Sequence, residues 1–150
     1  MDTPSTIPDF DDRGHLPPGV YQVTLADIEA RLTWNSTRRR LFRGLKRALA
    51  NLARAGVTRV LINGSFVTAK DRLKDIDGCW DAPPDVSWAD LDPVLLLADP
   101  GPMQRKYGID FFLWGTPLLD AGGQTVEEFF QHDRSGNAKG VLVIELGAEP

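Results

Sequence analysis

Residues 37–55 place Leu41, Phe42, Leu45, Leu49 and Leu52 on one helical face, and directly after Gly56 the chain reads Val57-Thr58-Arg59-Val60-Leu61-Ile62. The first pattern has the 3.6-residue period of an amphipathic helix; the second is apolar and rich in β-branched residues, as a buried strand is. Gly56 stands where a helix-ending C′ glycine belongs. A long helix that reverses through one glycine into a buried strand points to an α/β or α+β domain built on one central sheet.

Other segments fit that frame. Thr24 with Asp27 behind it caps a short helix over residues 25–32. Residues 75–80 and 109–114 read as strands, as does the run from 140 to 146. Ser87 predicts a helix over residues 87–95, stopped near Asp99-Pro100-Gly101, and a further short helix is expected over 125–131. Residues 1–23 hold Pro4, Pro8, Pro17, Pro18, Gly14 and Gly19 and read as an extended arm without regular structure, pinned by Ile7, Phe10, Leu16, Val20 and Tyr21. The remaining 24–150 make a single domain, as a length of 150 residues implies.

Charge is strongly segregated. The net value of -4 argues against non-specific coating of nucleic acid. Yet residues 31–74 hold twelve Lys or Arg against one acid, Asp71, which leaves -15 on the rest. Arg39, Arg43, Lys46, Arg47 and Arg54 line the polar side of the long helix; such a side is ordinarily a solvated face, and the alternative is a ridge that tracks phosphates. Cys79 is the only cysteine, which excludes an internal disulfide, and its surroundings lack anything that would lower its pKa. The N-terminus has no signal-peptide pattern and no apolar run approaches the roughly 20 residues of a membrane span, so a cytoplasmic protein without membrane partners is expected. His15 and His132 are too isolated to suggest a metal site, and Trp34, Trp80, Trp88 and Trp114 read as core or rim residues.

The chemistry concentrates elsewhere. The strand over 57–62 runs into Gly64-Ser65; Asp75-Ile76-Asp77 opens the next strand, and Asp110 opens a third within the apolar run from Ile109 to Trp114. Strand side chains two apart share a face about 6–7 Å apart, so Asp75 and Asp77 can reach one cation while Ile76 points into the core. Three clustered acids repel one another and resist burial, which a hard cation such as Mg²⁺ or Mn²⁺ offsets. Gly64 permits close approach of backbone to a phosphate, the Ser65 hydroxyl can donate to it, and Lys70, Arg72 and Lys74 can neutralise a triphosphate.

Gly-Ser, a spacer, Asp-x-Asp and a third Asp on a later strand together resemble the nucleotidyltransferase superfamily, whose fold DNA polymerase beta shares. More narrowly, Ile7-Pro8-Asp9-Phe10, Leu16-Pro17-Pro18-Gly19, Gly64-Ser65-Phe66-Val67-Thr68 with Lys70, Asp75-Ile76-Asp77 and the closing run from Gly140 to Leu146 resemble an uncharacterised family of short bacterial and phage proteins of minimal-nucleotidyltransferase type. The resemblance implies a mixed sheet of about four to five strands flanked by helices. It implies that Gly64, Ser65, Lys70 and Lys74 bind an NTP such as ATP, that Asp75, Asp77 and Asp110 hold Mg²⁺ or Mn²⁺, and that Asp110 also acts as base near the acceptor. It implies transfer of a nucleoside monophosphate to a hydroxyl of a protein or tRNA, in some relatives within a toxin-antitoxin or phage-defence pair with a cognate partner protein. Two readings stand beside it: a catalytically silent fold serving as a regulatory, antitoxin-like module, and an RNA-contacting domain using the basic residues of 38–54. Only 36 residues follow Trp114, where larger transferases carry an acceptor-selecting helical domain.

Overall fold

The computed structural model describes residues 7–114 and 139–146. Thr24 and Asp27 cap helix α1 (Leu25–Leu32) reciprocally: the Thr24 hydroxyl accepts from the Asp27 N–H at 3.1 Å, and the Asp27 carboxylate accepts from the Thr24 N–H at 3.0 Å. Helix α2 (Ser36–Arg54) starts at Asn35, whose side chain accepts from the Arg38 N–H. It ends at Ala55, and Gly56 then turns the chain with a φ of +98°.

Five strands make one mixed sheet: β1 (Gly19–Gln22), β2 (Arg59–Asn63), β3 (Ile76–Trp80), β4 (Ile109–Leu113) and β5 (Gly140–Glu145), in the order β1-β5-β2-β3-β4. β1 with β5 and β3 with β4 run parallel; β2 runs antiparallel to both of its neighbours. The expected α/β architecture is therefore what the chain forms.

Strand alternation divides the side chains between two unlike faces. Val60, Ile62, Ile76, Trp80, Ile109, Phe111, Leu142 and Ile144 join the helices in the main core. The opposite face carries a small cluster of Leu61, Cys79, Val141 and Val143, against which Trp114 packs. Leu45, Leu49 and Leu52 of α2 are at most 2% exposed, and burying each contributes about 1.5–3 kcal/mol. Like-charge neighbours on the outer side of α2 (Arg39 with Arg43, Arg40 with Arg43, Arg43 with Lys46 and with Arg47) cost only about 0.2–0.5 kcal/mol each. Packing therefore holds α2 in place despite its surface. Gly44 makes the closest approach possible: a Cβ there would run into the Tyr107 carbonyl of helix α3 (Gly101–Tyr107).

Three expectations are corrected. Residues 19–22, read as part of an irregular arm, are strand β1, paired in register with residues 140–143 of β5. Residues 87–95 do not form a helix: Asp92 precedes Pro93, which disfavours the helical region for Asp92, and its ψ of 123° is extended. The chain then makes a single 3₁₀ turn, Pro93–Leu96, capped by the Asp92 carboxylate on the Val94 N–H. Pro100-Gly101, read as a stop, instead begins α3, with proline in the first turn and Gly108, at a φ of +70°, ending it. The helix expected over 125–131, like His132, lies outside the described residues.

Candidate metal centre and phosphate loop

β3 and β4 pair so that Asp77 and Asp110 stand side by side, on the face away from the helices. Asp75, one residue ahead of β3, joins them, and one carboxylate oxygen from each of the three lies within 4.8 Å of the others. Ile76 is fully buried in the main core, as the spacing requires. The expected triad is thus brought together.

Its electrostatics are dominated by burial and by repulsion among the three acids. Burial first, then the charges of Asp75 and Asp110, push the Asp77 carboxyl up to about 7, while Lys139 works the other way. Asp110 is also raised, by burial and then by Asp75, with Lys74 opposing. Among the described residues no hydrogen-bond donor reaches the Asp77 carboxylate, and the Gln104 side-chain amide of α3 donates to Asp75 at 3.1 Å. Three oxygen ligands with open positions beside them suit a small hard divalent ion completed by water and phosphate oxygens. The residues present fit Mg²⁺ or Mn²⁺.

The loop beside the triad is built with equal care. Gly64 has a φ of +76°, and a Cβ there would overlap the Asp77 carboxylate, so only glycine lets β2 turn away this close to the acids. Gly64 to Val67 then make one 3₁₀ turn. Behind it lies Arg38, whose side chain is fully buried. Its guanidinium donates to the carbonyls of Phe66 at 2.8 Å, Thr68 at 2.7 Å, Lys70 at 2.7 Å and Ser65 at 3.2 Å, and to Leu32 at 3.1 Å. The guanidinium carbon also lies 3.7 Å from the centroid of the Trp34 ring and 5.2 Å from that of Phe66. Burial lowers its pKa to about 10, so it remains charged at neutral pH. Asn35 and Trp34 extend the clamp to Asp71, and from the other side Gly14 accepts from the Ala69 N–H while His15 bridges Thr68.

Sequence reading takes in Arg38 only as the first of the basic residues of 38–54, and it misses Gln104 and Lys139 near the acids. For Arg38 a signal exists: position 38 precedes Leu41 by three and Phe42 by four, in phase with the apolar stripe. Lys74 lies within electrostatic reach of Asp110. Lys70 is exposed, and its contacts with the loop run through its backbone: the carbonyl accepts from Arg38 and the N–H donates to Thr68. Cys79 is buried, as expected.

A family model described as a family of unknown function, DUF6932, matches residues 8–145. The chain belongs to that family. The match takes in every residue of the triad, the Gly64–Val67 turn and Arg38, together with strand β1. No curated protein and no solved structure matches the chain.

Proposed function

We propose that this member of DUF6932 is a divalent-metal-dependent nucleotidyltransferase that moves a nucleoside monophosphate from an NTP to a hydroxyl of a protein or RNA. One observation carries the reading: three carboxylates, two on adjacent strands and one just ahead of β3, converge within 4.8 Å beside a glycine turn that approaches one of them. Asp77 sits partly buried beside two other acids, whose repulsion together with burial outweighs the opposing charge of Lys139. Asp75, Asp77 and Asp110 would hold the ion, which when bound supplies charge stabilisation of the phosphoryl oxygens and lowers the pKa of a coordinated hydroxyl.

The chain's own groups do the rest. Gly64 keeps the loop clear of side chains where a phosphate approaches, and the Ser65 hydroxyl donates to it. Arg38 holds the Ser65 and Phe66 carbonyls, which in trans peptides turns the Phe66 and Val67 N–H groups away from it. Lys74 adds positive charge on the β3–β4 side. Asp110, at the edge of the triad, accepts the proton of the attacking hydroxyl as that hydroxyl displaces pyrophosphate from the α-phosphorus. A place in a toxin-antitoxin or phage-defence pair belongs to the same proposal.

Incubation with α-labelled NTPs, Mg²⁺ or Mn²⁺ and a mixture of tRNA and cell protein tests it. Label transfer with pyrophosphate release, lost in Asp77→Asn, supports the reading. Metal-dependent NTP binding with no transfer to any acceptor marks the silent, regulatory module, and absence of both overturns the metal-site assignment.

A further inference from the structure

A second charged surface lies on the other side of the molecule. Helix α2 covers the sheet face opposite the acids, so its outer side is separated from the triad by the sheet itself. That outer side exposes Arg39, Arg40, Arg43, Lys46, Arg47 and Arg54, and residues 36–54 contain no acid. Arg40, Arg43, Arg47 and Arg54 fall within about 60° of one another around the helix axis and span about 21 Å of its length. They form a single line of charge.

Arg40, Arg43, Lys46, Arg47 and Ala50 frame a shallow open depression on this line, which continues past Arg47 and Ala50 into a cleft walled on its other side by residues 89–93, Lys106 and Tyr107. Among the described residues Arg40, Arg43 and Arg54 make no ion pair and no side-chain hydrogen bond; Arg47 makes one, to the Lys106 carbonyl at 3.0 Å. A helix face that served only solubility would mix signs and gain from opposite pairs three and four residues apart. This face forgoes them in a chain whose net charge is negative. Exposed arginine forks match phosphate oxygens two at a time, and a single file of them suits one phosphodiester backbone better than the two of a duplex. Ala50 is the only apolar residue lining the cleft at the Arg40 end, so the face lacks the large side chains that anchor a helix in a bilayer.

One acid lies beside the arginine line. Asp90 lines the cleft beside Arg47 and Arg54, is exposed, and directs its carboxylate to no described donor. Asp92, the other acid there, is held by Lys106 at 2.5 Å and the Tyr107 hydroxyl at 2.6 Å. With RNA phosphates on the neighbouring arginines, the exposed Asp90 carboxylate can accept a hydrogen bond from a ribose 2′-hydroxyl, which deoxyribose lacks. We propose that the groove along α2 docks single-stranded RNA, arginines on phosphates and Asp90 on a 2′-hydroxyl. RNA docking on this face does not depend on the transferase reading.

Fluorescence anisotropy with a labelled 12-nucleotide RNA, on the full chain, tests it. Four phosphate contacts give a log affinity against log salt slope of about -3, so affinity should fall about 50-fold between 50 and 200 mM salt. Arg40→Gln/Arg43→Gln/Arg47→Gln, checked by circular dichroism for native helix content, should flatten the slope to about -0.7. Should that variant not fold, Arg40→Gln and Arg54→Gln singly should each remove about 0.7 from the slope. The DNA of the same sequence should bind about tenfold more weakly, a gap that Asp90→Ala closes. No RNA binding at 50 mM salt, equal affinity for RNA and DNA, or equal affinity and slope for polyglutamate would each overturn the proposal, the last in favour of an acidic protein.

Discussion

Two buried charges stand a few residues apart in space and are handled in opposite ways. Arg38 is wrapped in carbonyls and aromatic rings until every arm of its guanidinium has a partner. Asp77 is pressed against two more acids, takes no hydrogen bond from a described residue, and holds its proton to about pH 7. A satisfied buried charge rigidifies what it touches, whereas an unsatisfied one destabilises its surroundings unless a ligand arrives. The contrast separates the scaffold of the site from its working part.

The largest expected effect breaks the scaffold side. Arg38→Met should destabilise the fold by about 3–5 kcal/mol in denaturant titrations, since it strands the loop carbonyls in a dry environment. Arg38→Lys keeps the charge but not the fork, and it should recover only part of that loss. Hydrogen exchange of residues 64–71 in the lysine variant should rise well before that of β5. If α2 and β5 loosen to the same extent, Arg38 is a general core residue rather than a clamp on the loop.

The acid side responds to pH with a defined sign. Folded Asp77 keeps its proton to about pH 7 while an unfolded aspartate loses it near 3.9, so the folded chain binds more protons in between. Stability without metal should therefore fall as pH rises from about 4 to 7, by at most about 1.4 kcal/mol per unit. Melting curves in EDTA across this range read the slope directly, and Asp77→Asn should flatten it. Gly64→Ala joins the two regions: the left-handed backbone costs about 1–2 kcal/mol for alanine, and the overlap with the Asp77 carboxylate adds to it. Its melting temperature should drop even in Mg²⁺.

Legibility in the sequence depends on how local the cause is. α1 and α2 announce themselves through caps and apolar stripes contained within their own residues, and β2 to β5 through short apolar runs. β1 has four residues, three of them exposed, and gains its order from β5 more than a hundred residues away. No local pattern records that. The error over 87–95 comes from weighing Ser87 and the apolar spacing above Pro93, and the same preference hides α3 behind Pro100. The triad is legible because period-two spacing and one apolar run fix where three carboxylates point. Arg38 is not, since three arginines in succession look alike until the helix phase is taken into account.

The smallest effect belongs to the outer side of α2. Arg43 has four like-charged neighbours three or four residues away, so Arg43→Gln should stabilise the chain by up to about 1 kcal/mol at low salt, and by less as salt screens the repulsion. Unfolding curves at 20 and 300 mM salt measure it.

The central claim is that the acids are kept together for a cation, and one comparison tests it most directly: Mn²⁺ titrated by calorimetry into the wild type and Asp77→Asn at pH 8, with melting curves of both in EDTA. The expected result is heat of binding and a raised melting temperature for the wild type with Mn²⁺, neither in the variant, and a variant at least as stable as the wild type in EDTA because one repelling charge is gone. A variant that melts lower in EDTA, or a wild type that binds no Mn²⁺, would contradict the claim and make Asp77 a structural residue.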